Sequence, residues 1–157
     1  MSICADHHHC QETALSTAET LCQSRGIRLT PHRRQVLALI WQSHRPVKAY
    51  DLLDQLRLTD SQAKPPTVYR ALDFLMEQGL IHRIDSLNAY TGCGHPETLP
   101  CDCYFMICQT CGIAEECCNP NLSARINAMA KDRGFQPQHT VLEIAGLCQD
   151  CCEPVVV

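Results

Sequence analysis

Two cysteine pairs constrain this chain more than any other feature. Cys108-x-x-Cys111 and Cys148-x-x-Cys151 each set two thiols on one tight turn. Two such knuckles supply four thiolates, a donor set that suits tetrahedral Zn²⁺. The 36 residues between the pairs exceed the spacing of a compact zinc ribbon. A helix and a strand fit in that gap, so a metal held here staples one end of a sheet to a later part of the chain. Protein fills all four positions, which marks a structural site with no open coordination position. A redox C-x-x-C of the thioredoxin type needs one reactive pair in a βαβ setting, not two pairs.

The cysteine count points the same way. There are thirteen, an odd number that argues against a fully paired disulfide framework. The first residues, MSICADHHHC, lack a basic end followed by an apolar core, so no secretion signal is expected. In a reducing cytoplasm such a count suggests metal rather than disulfides. No apolar run of about 18 residues occurs, so no membrane helix is expected. Residues 1–10, with Cys4, His7, His8, His9 and Cys10, read as a flexible end, with chelation as the alternative.

Charge divides the chain. The net value of −4 does not suggest nucleic acid. From Arg25 to Arg70, however, nine Lys/Arg face three Asp/Glu, a net +6. From Ala89 onward three Lys/Arg face eight Asp/Glu, a net −5. A basic half followed by an acidic half suggests a polyanion-binding module and a module with another task.

The basic half reads as helical. A first helix over Glu12–Arg25 buries Leu15, Ala18, Leu21 and Cys22, with Gly26 as its stop. Thr30-Pro31 starts a second, capped by the threonine hydroxyl. Val36, Leu37, Ile40 and Trp41 form its buried face, and His32, Arg33 and Arg34 in its first turn are either a solvated face or phosphate contacts. A third helix buries Ala49, Leu52, Leu53 and Leu56. Leu58–Pro66 reads as a loop whose two prolines hold off the fourth helix until Thr67. That helix buries Val68, Leu72, Leu75 and Met76 and ends at Gly79. A hairpin follows, with strands Ile81–Ile84 and Ala89–Thr91 around a turn at Asp85–Asn88. Helices followed by a hairpin make a winged helix-turn-helix, the fourth helix being its recognition helix and the hairpin its wing.

The acidic half reads as a small α/β unit. Strands are expected at Tyr104–Ile107, Gly112–Glu116 and Val141–Leu147, and a helix at Leu122–Arg133 with Leu122, Ile126, Met129 and Ala130 inward. So small a sheet with one helix buries little by itself, which makes dimerisation through it the expectation. The fold class is therefore α+β: a winged helix-turn-helix over residues 1–88, then a small α/β dimerisation domain with a structural zinc knuckle over 89–157.

A second, softer set of ligand types lies at the junction. His82 sits on the wing, Cys93 and His95 just beyond it, and Cys101 and Cys103 alternate into the next strand. Glu115 and Glu116 follow the first knuckle. Each residue has an ordinary alternative as a surface group. Cys117, Cys118 and Cys152 read as bystanders.

The sequence resembles the ferric uptake regulator family, and within it the zinc uptake regulators. The stretches that carry the likeness are RLTPHRRQVL (28–37), AYDLL (49–53), KPPTVYRALDFLMEQGLIHRI (64–84) and the knuckles CQTCG and CQDC. The likeness covers residues 12–152. It implies a homodimeric repressor that binds palindromic double-stranded DNA operators of zinc-uptake genes when zinc is bound. It also implies a cytoplasmic protein with no catalytic residues, no membrane and no small-molecule ligand other than zinc.

The resemblance assigns Cys108, Cys111, Cys148 and Cys151 to structural zinc. It assigns His82, Cys93, Cys101 and Glu116 to at least one regulatory zinc per subunit. The chain departs from similar regulators at Cys101, which stands where they carry a histidine, and Cys103 or His95 is the alternative third ligand. Thiolates favour zinc over Fe²⁺ or Mn²⁺. The resemblance places Tyr50, Thr67, Tyr69 and Arg70 at the DNA, and the Arg70 fork suits guanine O6 and N7.

On this reading a hinge near Leu87–Tyr90 is loose until zinc bridges it. The rivals are a family member sensing iron, manganese or peroxide, and, from other classes, a thiol-disulfide oxidoreductase or a zinc-buffering protein.

Overall fold

The computed structural model describes residues 7–98 and 103–152. Cys4 and Cys101 lie outside them. The chain divides into two compact units, Met1–Leu99 and Pro100–Val157.

In the first unit, α1 (His7–Ser24), α2 (Pro31–Ile40), α3 (Ala49–Arg57) and α4 (Pro65–Glu77) precede a two-stranded wing of β1 (Ile81–Ile84) and β2 (Ala89–Gly92). The expected apolar stripes form its core: Leu15, Ala18 and Cys22 from α1, Val36, Leu37 and Ile40 from α2, and the leucines of α3. Burial pushes the Cys22 thiol pKa up, as suits an apolar side chain rather than a ligand. Thr30 caps α2, its hydroxyl accepting from the Arg33 amide.

Three local readings change. Residues 7–10, read above as part of a flexible end, form the start of α1. Pro65 and Pro66 do not hold α4 off until Thr67; they are its first two residues, where a missing N–H leaves no helical bond unmade. Nor is Leu87–Tyr90 loose. Ile84 pairs with Ala89 and Arg83 with Tyr90 across the wing. Tyr90 also exchanges two 2.8 Å backbone hydrogen bonds with Val47, and its ring is buried. Asn88 adopts φ +47° to close the turn, a conformation asparagine tolerates well, and its Oδ1 accepts from Arg83.

In the second unit, β3 (Cys103–Cys108), β4 (Ala114–Cys118), α5 (Pro120–Asp132) and β5 (Glu143–Gly146) form a three-stranded sheet in the order β4-β3-β5 with one helix. β4 runs antiparallel to β3, and β5 parallel to it. A parallel neighbour requires a long crossover, and α5 provides it. This is the physical reason for the long gap between the two cysteine pairs. Asn119 caps α5 through the amides of Asn121 and Leu122. Leu122, Ile126 and Ala130 are half-buried as expected, but Met129 is 63% exposed, and no residue of α5 is fully buried. Three strands are too narrow to cover a whole helix stripe.

Candidate metal centre and nucleic-acid interface

Parallel pairing sets Cys108 beside Gly146, so the two C-x-x-C turns leave the same end of the sheet. The Gln109 amide donates to the Gly146 carbonyl at 2.8 Å and closes that end. Gly112 at φ +72° lets the first turn fold back, its amide donating to the Cys108 carbonyl. The four sulfurs of Cys108, Cys111, Cys148 and Cys151 all lie within 4.8 Å of one another. Thiolates on a tetrahedral Zn²⁺ at about 2.3 Å stand about 3.8 Å apart. Cys111 Sγ and Cys148 Sγ are 3.7 Å apart, so the donor set fits that ion.

The electrostatics fit it too. The Cys111 and Cys148 backbone amides donate to Cys108 Sγ and bring its thiol pKa down to about 6. Cys151 is pushed up to about 12, first by its hydrogen bond with the Cys148 side chain and then by burial. One thiolate is favoured here by the backbone alone. Four require a divalent cation to offset their mutual repulsion.

On the wing, His82 and Cys93 bring their ligand atoms within 4.8 Å of each other. The register explains it: His82 faces Thr91, and Cys93 lies two residues on, on the same face of the ladder. The Cys93 amide donates to the Leu80 carbonyl at 3.0 Å, which continues the pairing past β2. Cys93 is buried and His82 half-buried. His95 is exposed in the turn beyond. Glu116 belongs to β4 in the second unit.

Two cysteine readings are corrected. Cys103 and Cys118 form a disulfide, so not every cysteine is reserved for metal, and Cys118 is no bystander. They face each other in the antiparallel register of β3 and β4, which no local motif encodes. In this form Cys103 cannot serve as the third regulatory ligand. Burial raises the pKa of the Cys117 thiol, in keeping with a structural residue.

In α4, Val68, Ala71, Leu72 and Leu75 face inward, against α2 and α3. This leaves Tyr69 and Arg70 exposed on the opposite side and Thr67 half-buried at the start. Tyr50, in the first turn of α3, is 70% exposed. The first turn of α2 makes contacts within the unit, although His32 and Arg34 remain exposed. The Arg33 guanidinium stacks 3.6 Å from the Phe74 ring centroid, Arg34 pairs with Glu19, and His32 with Asp60.

A winged helix-turn-helix followed by a small sheet with a four-cysteine knuckle defines a metal-holding winged-helix protein. The chain belongs to the ferric uptake regulator family, whose model matches residues 24–145. It is similar to the zinc uptake regulation protein of Escherichia coli (strain K12), at 43% identity over 139 residues, 88% of this chain and 81% of that one. A zinc uptake regulator solved in complex with zinc and DNA matches with a TM-score of 0.86 at 42% identity, covering 90% of this chain and 94% of that chain. The holo form of XcZur matches with a TM-score of 0.82 at 45% identity, covering 88% and 96%. No helix among the described residues is long and apolar enough to cross a membrane.

Proposed function

We propose that this protein is a zinc-responsive transcriptional repressor, a cytoplasmic homodimer without enzymatic activity that binds palindromic operators of zinc-uptake genes when its regulatory site holds zinc. The observation that carries the reading is the 43% identity to a zinc uptake regulation protein over most of both chains. Cys108, Cys111, Cys148 and Cys151 hold a structural zinc that fastens β5 and the following turn to β3. His82, Cys93, Cys101 and Glu116 hold the regulatory zinc, with His95 as the alternative to Cys101. The first unit takes the task of reading DNA, and the second that of dimerisation.

Each group has a chemical part. Tyr69 and Arg70 present their side chains on the outer face of α4, where a recognition helix meets base edges. Tyr50 and Thr67 flank them at the starts of α3 and α4. Exposed Phe135, Val141, Ile144 and Leu147 give the second unit an apolar surface that suits a second copy of the chain. Two copies related by a twofold axis match a palindromic site.

His82 binds metal in its neutral form and Cys93 as a thiolate, so binding displaces the thiol proton. Ligands drawn from both units let the ion favour one arrangement of the reading heads. It acts only through its difference in affinity between arrangements. A shift from 1:99 to 99:1 requires about 5.5 kcal/mol, within the reach of a tight zinc site.

The test is Cys93→Ser. Zinc-dependent operator binding should vanish while the chain remains a folded dimer with its structural zinc. Unchanged zinc-dependent binding contradicts the assignment.

A further inference from the structure

The Cys103–Cys118 pair has a third neighbour. Glu116 stands two residues before Cys118 on β4 and faces Phe105, while Cys118 faces Cys103. Strand alternation therefore puts Cys103, Cys118 and Glu116 on one face of the ladder. Their ligand atoms all lie within 4.8 Å of one another, and Cys118 Sγ is 4.0 Å from Glu116 Oε1. The position is open. β4 is an edge strand among the described residues, Cys118 is exposed and Cys103 half-buried, so a small molecule reaches the bond. The four-cysteine knuckle lies at the other end of β3 and uses neither sulfur.

We propose that Cys103, Cys118 and Glu116 form a further zinc site, open when the two cysteines are reduced and closed when they are joined. Thiolates and carboxylates are both zinc donors, and three protein ligands leave a fourth position for water. The disulfide withdraws both thiolates at once, and a lone carboxylate does not retain the ion.

The exchange runs against a low-molecular-weight thiol such as glutathione. One thiolate attacks a sulfur of the Cys103–Cys118 bond, forms a mixed disulfide and releases the other cysteine as thiolate. A second thiol attacks the mixed disulfide, frees the remaining cysteine and leaves as the oxidised thiol dimer. Two electrons pass to the cysteine pair, and the two thiols supply two protons. Zinc binding then displaces those protons to solvent. The reverse exchange, with the oxidised thiol dimer as acceptor, expels the ion. The inference is independent of the regulatory reading except that Glu116 occurs in both ligand sets.

Site-resolved alkylation of the full-length protein tests it. With the phosphine-reduced chain, saturating Zn²⁺ should slow alkylation of both Cys103 and Cys118 by about tenfold or more relative to the same chain carrying only its structural zinc. After glutathione disulfide treatment the chain should be lighter by two hydrogen atoms, and neither cysteine should react with or without zinc. In Cys118→Ser, zinc should no longer protect Cys103, while continued protection of Cys108 reports a folded domain. Failure of zinc to protect Cys118 in the reduced wild type overturns the proposal, and that result requires no variant. So does zinc protection of Cys103 that persists in Cys118→Ser, which assigns Cys103 to a different site.

Discussion

The two units are stabilised in different ways. The first has a continuous apolar core: four helices and the wing contribute buried side chains, from Leu15 on α1 to Tyr90 on β2. In the second, the buried apolar side chains among the described residues are Phe105, Ile107 and Cys108, all on β3. Its helix buries nothing fully, and Met129, Phe135 and Val141 stand exposed. A unit with so thin a core depends on other supports. Cross-links and metal ligands accordingly concentrate there, with four cysteines at one end of β3 and a disulfide at the other. The first unit has an apolar core of its own, whereas the second depends on cross-links and metal ligands.

Removing zinc breaks this contrast most severely. Chelation, or Cys108→Ser, should unfold the second unit, because a structural zinc site contributes on the order of 10 kcal/mol. The first unit should remain folded. Hydrogen exchange resolved by segment checks this, and equal loss of protection in both units contradicts it. The converse perturbation is Leu72→Ala. Leu72 is fully buried in α4, and its truncation should cost the first unit about 2–5 kcal/mol in denaturant unfolding. Bound zinc at the knuckle should persist.

A smaller effect sharpens the boundary of the first unit. A Cβ at Gly92 runs into the Trp41 indole. Gly92→Ala should therefore destabilise the wing by about 1–3 kcal/mol and disturb the neighbouring Cys93 before it affects the second unit. A thermal melt together with zinc affinity separates the two consequences.

The smallest effect is on the surface. The hydrogen bond from His32 holds the Asp60 carboxyl below the usual aspartate range, with the Gln62 amide adding to it. A depressed folded-state value gives stability that is present above the unfolded pKa and is lost as pH falls through the folded one. Asp60→Asn should therefore be slightly less stable than wild type near neutral pH, and the difference should disappear in acid. Both groups are exposed, so a large effect at neutral pH contradicts this account.

Much of this was legible in the sequence. The helical stripes of α1 to α4 are strong because each helix buries one face, and period alone reveals such a pattern. The two C-x-x-C turns name their own ligands. The start of α4 was less legible, since Pro65 and Pro66 both end one element and open the next. The wing was placed correctly, but the bond between Val47 and Tyr90 that stiffens its base joins residues far apart in sequence. The Cys103–Cys118 pair was illegible for the same kind of reason. Their meeting depends on the register of β3 against β4, and that register is fixed by packing rather than by any local motif. Met129 shows a third limit: helical period assigns it inward, but the sheet beneath is too narrow to cover it.

The central claim is that zinc in the regulatory site turns on operator binding. The most direct measurement is operator binding during metal titration, with bound metal counted at each step. Zn²⁺ beyond the structural equivalent should convert weak binding into tight, sequence-specific binding, while Fe²⁺ and Mn²⁺ at equal concentration should not. Tight binding already complete with the structural zinc alone, or driven equally by Fe²⁺ or Mn²⁺, contradicts the account.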